Sequence, residues 1–122
     1  MLTVDHIAIP SRDPEASARF LADIFGRTIE RDGVDDEFPC LRHDAAVQLL
    51  FVASASSPEP HHMAFRSSPD AFAAIVGRLE ASAIPFGNDP EDPANGERSD
   101  PLGGAGRVYF VDPDGHLFEI CA

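Results

Sequence analysis

Four residues of this chain can each offer a metal ion a lone pair from within an otherwise apolar segment: His6, Gln48, His62 and Glu119. Their spacing is regular. Asp5-His6-Ile7-Ala8-Ile9 superposes on His61-His62-Met63-Ala64-Phe65 at an offset of 56 residues, with His, apolar, Ala, apolar in both. Gln48 lies 42 residues after His6, and Glu119 lies 57 residues after His62. Side chains alternate between the faces of a strand, so if Ile7 and Ile9 lie under the helices, His6 points the other way. The same reading sets Gln48 against Val47, Leu49 and Phe51, His62 against Met63 and Phe65, and Glu119 against Phe118 and Ile120. Two imidazoles, one carboxylate and one amide oxygen suit an octahedral divalent ion (nickel, cobalt, manganese, iron or zinc) with two positions open for water or a bidentate substrate. Closed structural zinc would want thiolates.

Such an ion favours Lewis-acid chemistry on a small oxygen-bearing substrate: a proton leaves next to a carbonyl, and the enediolate that forms is stabilised. The proton needs a base. Glu119 is the first candidate. Tyr109 and Arg107, two residues apart on one strand, are expected to face the groove and orient an anionic group. The neighbouring histidines are less suited to the site. His61 projects away from it, His43 sits in a polar hairpin, and His116 closes the Asp112-Pro113-Asp114-Gly115 turn.

The elements that must position these residues repeat as well. Asp13-Pro14-Glu15 and Ser68-Pro69-Asp70 each combine an N-cap, a first-turn Pro and a first-turn acid, so each opens a helix. Phe20, Leu21, Ile24 and Phe25 predict the buried stripe of the first, with Gly26 as its stop, and Phe72, Ile75, Val76 and Leu79 that of the second. Short apolar segments follow each helix: 27–31, 37–42 and 46–52, then 84–87, 107–111 and 116–121. The pattern is βαβββ twice, an α+β fold with a curled mixed sheet and helices on its outer face. It predicts one domain over 1–122, with modules 1–53 and 61–122 joined by a linker at 54–60. The second copy carries an insertion, Asn88 to Gly106, too polar and too rich in Gly to be core.

Composition excludes several function classes. With 122 residues and 43% apolar content the chain has enough core to fold without disulfides, so Cys40 and Cys121 are read as reduced core residues. There is no Lys, which excludes Schiff-base chemistry. Nine Arg face 21 carboxylates, and a net charge of −12 repels phosphate backbones, so no nucleic-acid partner is expected. No apolar run is long enough to span a bilayer, and the first ten residues lack the pattern of a signal peptide. The expected compartment is cytoplasmic and the expected ligand a small molecule.

The residues also carry a resemblance. Asp5-His6-Ile7-Ala8-Ile9, His61-His62-Met63-Ala64-Phe65-Arg66 and the run from Tyr109 to Ile120 with its Asp112-Pro113-Asp114-Gly115 turn resemble the vicinal oxygen chelate superfamily. That superfamily comprises glyoxalases, extradiol dioxygenases, bleomycin-resistance proteins, epimerases and fosfomycin thiol transferases, and the resemblance covers essentially the whole length. It implies a sheet curled around a metal and, as in many short members, a homodimer. For activity it leaves open a glyoxalase-like lyase, an epimerase with Glu37 of Asp35-Asp36-Glu37 as its separate base, an extradiol dioxygenase or thiol transferase, and an antibiotic-sequestering binding protein.

Overall fold

The computed structural model describes residues 1–42 and 47–122, so the expectation for His43 lies outside the described residues. The chain divides into two compact units, Met1–Pro58 and Glu59–Ala122.

The first unit runs β1 (His6–Ser11), α1 (Pro14–Phe25), β2 (Glu30–Asp32), a short 3-10 turn (Val34–Asp36), β3 (Phe38–Arg42) and β4 (Gln48–Ala53). Its sheet has the order β1-β4-β3-β2, and β1 lies parallel to β4 with His6 opposite Gln48. A parallel neighbour needs a crossover, which α1 supplies. That helix begins where the side chain of Asp13 accepts the Ala16 N–H at 3.1 Å and ends where Gly26 takes the left-handed conformation at φ 66°. Its buried stripe is Ser17, Ala18, Leu21, Ala22 and Ile24, with Phe20 and Phe25 only half-buried at its margin, and it packs on β1, β3 and β4.

The second unit runs β5 (His62–Arg66), α2 (Pro69–Ala81), β6 (Arg107–Val111) and β7 (Leu117–Cys121), with the sheet order β5-β7-β6. Here too a helix joins two parallel strands, β5 and β7. The side chain of Ser68 caps α2 by accepting the Ala71 N–H at 3.2 Å, and Phe72, Ile75, Val76 and Leu79 are its buried face, as their spacing predicts. The core of this unit centres on Val108, Phe110, Phe118 and Ile120, each at most 1% exposed. Cys40 and Cys121 are both buried and free. No described helix is long and apolar enough to cross a membrane.

Two expectations are corrected. The strand expected over 84–87 shrinks to one antiparallel bridge, in which the Gly87 N–H donates to Tyr109 at 3.2 Å and the Tyr109 N–H to Gly87 at 2.7 Å. Pro85 has no N–H to give a ladder, and Phe86 spends its carbonyl on the Gly96 N–H at 2.8 Å, inside the loop. The second unit is therefore βαββ with a bridge in place of one strand. Ile7, expected under the helices, is 39% exposed, because β1 is an outer strand whose burial begins at Ile9. Gln48, Leu49, Leu50 and Phe51 are all buried, as on β7, because strands flank β4 on both sides.

Candidate functional site

Register alone brings four polar side chains of the second unit to one face. In the parallel pair β5 and β7, His62 stands opposite Leu117 and Ala64 opposite Glu119, which makes His62 and Glu119 diagonal neighbours. Across β6, Tyr109 opposes Glu119, and Arg107 follows at the strand period of two. Met63, Phe65, Val108, Phe110, Phe118 and Ile120 take the alternate positions, so the apolar face holds the polar one in place.

The contacts follow from this register. His62 Nδ1 lies 3.0 Å from the Leu117 carbonyl, and Nε2 lies 3.0 Å from Glu119 Oε1. A carbonyl only accepts, so Nδ1 carries a proton. Nε2 then meets the carboxylate either as a second N–H or as a lone pair with a cation between them. The Glu119 side chain is 10% exposed and the His62 ring about half. Tyr109 is buried, and its ring stacks on His62 at 6.1 Å between centroids. An imidazole nitrogen converging on a buried carboxylate oxygen is a donor pair that fits a divalent ion.

Arg107 is held from two sides. One terminal nitrogen donates to Glu119 Oε2, while Nε donates to Asp100 Oδ1 at 2.8 Å. Asp100, 4% exposed at its side chain, also accepts the N–H groups of Leu102 at 2.9 Å and Gly104 at 3.0 Å. The guanidinium holds the Asp100 carboxyl below the usual range, and Asp100 raises Arg107 in return. Arg107 thus serves two carboxylates of its own chain, where the sequence suggested an anionic ligand.

In the first unit His6 and Gln48 face each other across β1 and β4. His6 is exposed, with Nδ1 2.8 Å from Asp5 Oδ2. Gln48 is buried; its amide nitrogen donates to Asp32, and its oxygen accepts from Arg42 at 3.4 Å. Within each unit, then, the four proposed ligands stand as a pair. Among the described residues no three His, Cys, Asp or Glu converge on one point. Glu37 is exposed in the turn before β3 rather than on a strand. Sequence reasoning missed Asp32 and Asp100: neither sits in an apolar alternation, strand pairing brings Asp32 to Gln48, and the fold of the loop before β6 brings Asp100 to Arg107.

The loop between α2 and β6 builds a cavity of about 360 Å³ against Arg107 and Tyr109, with Asn88, Asp89, Pro90, Asn95, Pro101 and Leu102 as its other walls. That volume is in the range of small-molecule sites. The loop is fastened by its own amides. Asn95 Nδ2 donates to Asn88 Oδ1 at 2.9 Å, and Asn88 Nδ2 donates to the Ser99 carbonyl at 2.9 Å. Gly87 must be glycine here, since a Cβ would lie 2.7 Å from the backbone of Asn95 and Asp92.

The turn ahead of β7 carries a separate buried carboxyl. Asp112 accepts the N–H groups of His116 at 2.8 Å and Asp114 at 3.0 Å, while the His61 N–H donates to His116 Nδ1 at 2.9 Å. His116, 2% exposed, thus closes the turn, and His61 backs it with ring centroids 5.3 Å apart. Burial pushes the Asp112 carboxyl up despite those N–H groups. A raised folded value means that its contribution to stability is complete below the ordinary Asp range and is lost as pH rises through the folded value. Asp112→Asn keeps the accepting oxygen without the charge. The variant is expected to match or exceed the parent in urea unfolding at pH 7 and to lose this part of the pH dependence. A loss above about 1 kcal/mol at pH 7 would show that the charge itself is needed.

A model of the Glyoxalase/Bleomycin resistance protein/Dioxygenase superfamily matches residues 3–120. Among solved structures, "Oxidase ChaP-H2" is 33% identical and superposes with a TM-score of 0.89 over 99% of this chain and 93% of that one. "Oxidase ChaP-H1" is also 33% identical, with a TM-score of 0.89 over 100% and 96%. A glyoxalase/dioxygenase from Nostoc punctiforme is 24% identical, with a TM-score of 0.71 over 98% and 89%. A comparison with the curated proteins returns no match.

Proposed function

The chain belongs to the Glyoxalase/Bleomycin resistance protein/Dioxygenase superfamily, and from that premise we propose that it is a divalent-metal-dependent enzyme that oxidises a small substrate bearing adjacent oxygens, with dioxygen as the electron acceptor. The observation that carries this reading is the His62–Glu119 pair, 3.0 Å apart on the strand face from which Tyr109 lines the cavity. The two similar proteins named oxidases favour oxidation over the lyase or isomerase chemistry that the residues also allow.

In this reading His62 and Glu119, together with His6 and Gln48, hold the metal. When bound, the ion supplies Lewis acidity that stabilises negative charge on the substrate oxygens. Glu119 would take the substrate proton on Oε1 by loosening as a ligand, because Arg107 engages Oε2. Glu37, exposed in its turn, is the alternative base. The Leu117 carbonyl fixes the His62 ring through Nδ1, the Tyr109 ring forms the floor beneath the substrate, and the 88–106 loop shields it from water.

The test is oxygen uptake by protein reconstituted with each of several divalent metals, using a catechol and an α-hydroxyketone. Metal-dependent uptake abolished by Glu119→Gln is the expected result. Proton exchange without oxygen uptake would replace oxidation by an epimerase-like or glyoxalase-like reaction. Absence of stoichiometric metal under every reconstitution would leave a sequestering binding protein. We further propose a cytoplasmic homodimer without nucleic-acid partners: β1 and β5 are outer strands, Val4 and Ile7 are exposed beside His6, and the charge is −12. Sedimentation that finds only a 13.1 kDa species at micromolar concentration would overturn the dimer.

A further inference from the structure

We infer that the cavity against Tyr109 receives an uncharged or cationic end of the ligand and discriminates against an anionic one. The inference rests on the proposed function only in taking this cavity as the substrate's place. Among the described lining residues Arg107 is the only cation, and it is already committed. Its Nε donates to Asp100, one terminal nitrogen donates to Glu119, the other lies 3.5 Å from Asp100 Oδ2, and its side chain is 11% exposed. Two carboxylates therefore cancel the field that an incoming anion would need.

The other polar walls point the same way. The side-chain nitrogens of Asn88 and Asn95 already donate within the loop, and Asn95 Oδ1 accepts the N–H groups of Asn88 at 3.2 Å and Glu97 at 2.9 Å. Asp89 is exposed on the rim; one of its oxygens accepts the Glu91 N–H at 2.9 Å, and its negative charge is not matched by any cation of the lining. Pro90, Pro101, Leu102 and the Tyr109 ring supply apolar wall. An anionic tail would thus meet carboxylates and committed amides, whereas a neutral tail lies against the prolines and a cationic one pairs with Asp89.

Three probes with one diol head separate the tail from the chemistry: 4-ethylcatechol, dopamine and 3,4-dihydroxyphenylacetate. Their dissociation constants are measured anaerobically on the metal-reconstituted full chain at about 0.15 M salt, which screens charges beyond about 8 Å. The anionic probe is expected to bind about tenfold more weakly than the neutral one, and dopamine at least as tightly as the neutral one. Asp89→Asn should narrow the gap between dopamine and 4-ethylcatechol. Asp23→Asn, exposed on α1 in the other unit with the same change of net charge, should leave it unchanged. Equal or tighter binding of the anion, binding of none of the three, or a gap that responds equally to both variants would overturn the inference. A tail order that persists without oxygen uptake would support it while removing the oxidase reading.

Discussion

His62→Ala lowers the divalent ion retained by reconstituted protein from about one per chain to near zero after dialysis. The physical case lies in the convergence of the pair. With the imidazole gone, Glu119 is the one ligand that the second unit still offers, and Arg107 already engages one of its oxygens. A ligand carboxylate so neutralised binds a cation weakly, so a loss of at least about 100-fold in affinity is expected. The fold should hold, because the His62 ring is about half exposed on an outer strand and contributes little core. Elemental analysis together with a melting curve in chelator decides the matter. Full metal occupancy in the variant would mean that the ion, where it binds, is held elsewhere. Glu119→Gln complements the test: it keeps an oxygen at the site but removes the charge, and turnover is expected to fall by about 10² to 10⁴.

The largest stability effect is expected at the residue before Glu119. Phe118 is 1% exposed, and its ring stacks on Phe110 at 5.6 Å between centroids. It sits on β7, the central strand of the second sheet, so the cavity left by truncation has strands on both sides. Phe118→Ala is expected to cost about 3 to 5 kcal/mol. Against a typical total of about 5 to 15 kcal/mol, that unfolds a substantial share of the protein at 37 °C. Urea unfolding gives the number. A cost below about 1 kcal/mol would mean that the second sheet has other means of closing over the gap.

Much of this site was legible in the sequence, because strand alternation is a strict rule and β5, β6 and β7 obey it. His62, Glu119, Tyr109 and Arg107 share a face for the reason that puts Met63, Phe118, Val108 and Phe110 on the other. Both helices were legible through their caps, since Asp13 and Ser68 each accept the N–H three residues on. What escaped depends on side-chain partners that no local pattern specifies. Nothing near Arg107 in sequence shows that its guanidinium is shared by Asp100 and Glu119, so its role was assigned from charge alone. Burial runs unbroken along β4 because strands flank it on both sides, and Asp32 reaches Gln48 only through the pairing of β2, β3 and β4. The expected strand at 84–87 read correctly as apolar, but Pro85 and the loop contacts of Phe86 and Gly87 left it one bridge long.

That single bridge has an evolutionary consequence. A wall made from a fourth strand would be tied by a ladder of backbone bonds, and any insertion there would shift the register of every strand beyond it. Here the wall is tied to β6 at Gly87 and through Asp100 to Arg107, and it is closed by asparagine amides. Outside those ties its length and composition can drift while β5, β6 and β7 keep His62 against Glu119. On the proposed function, ligand preference could then change without the His62–Glu119 pair, and one pair could be offered to a succession of different molecules.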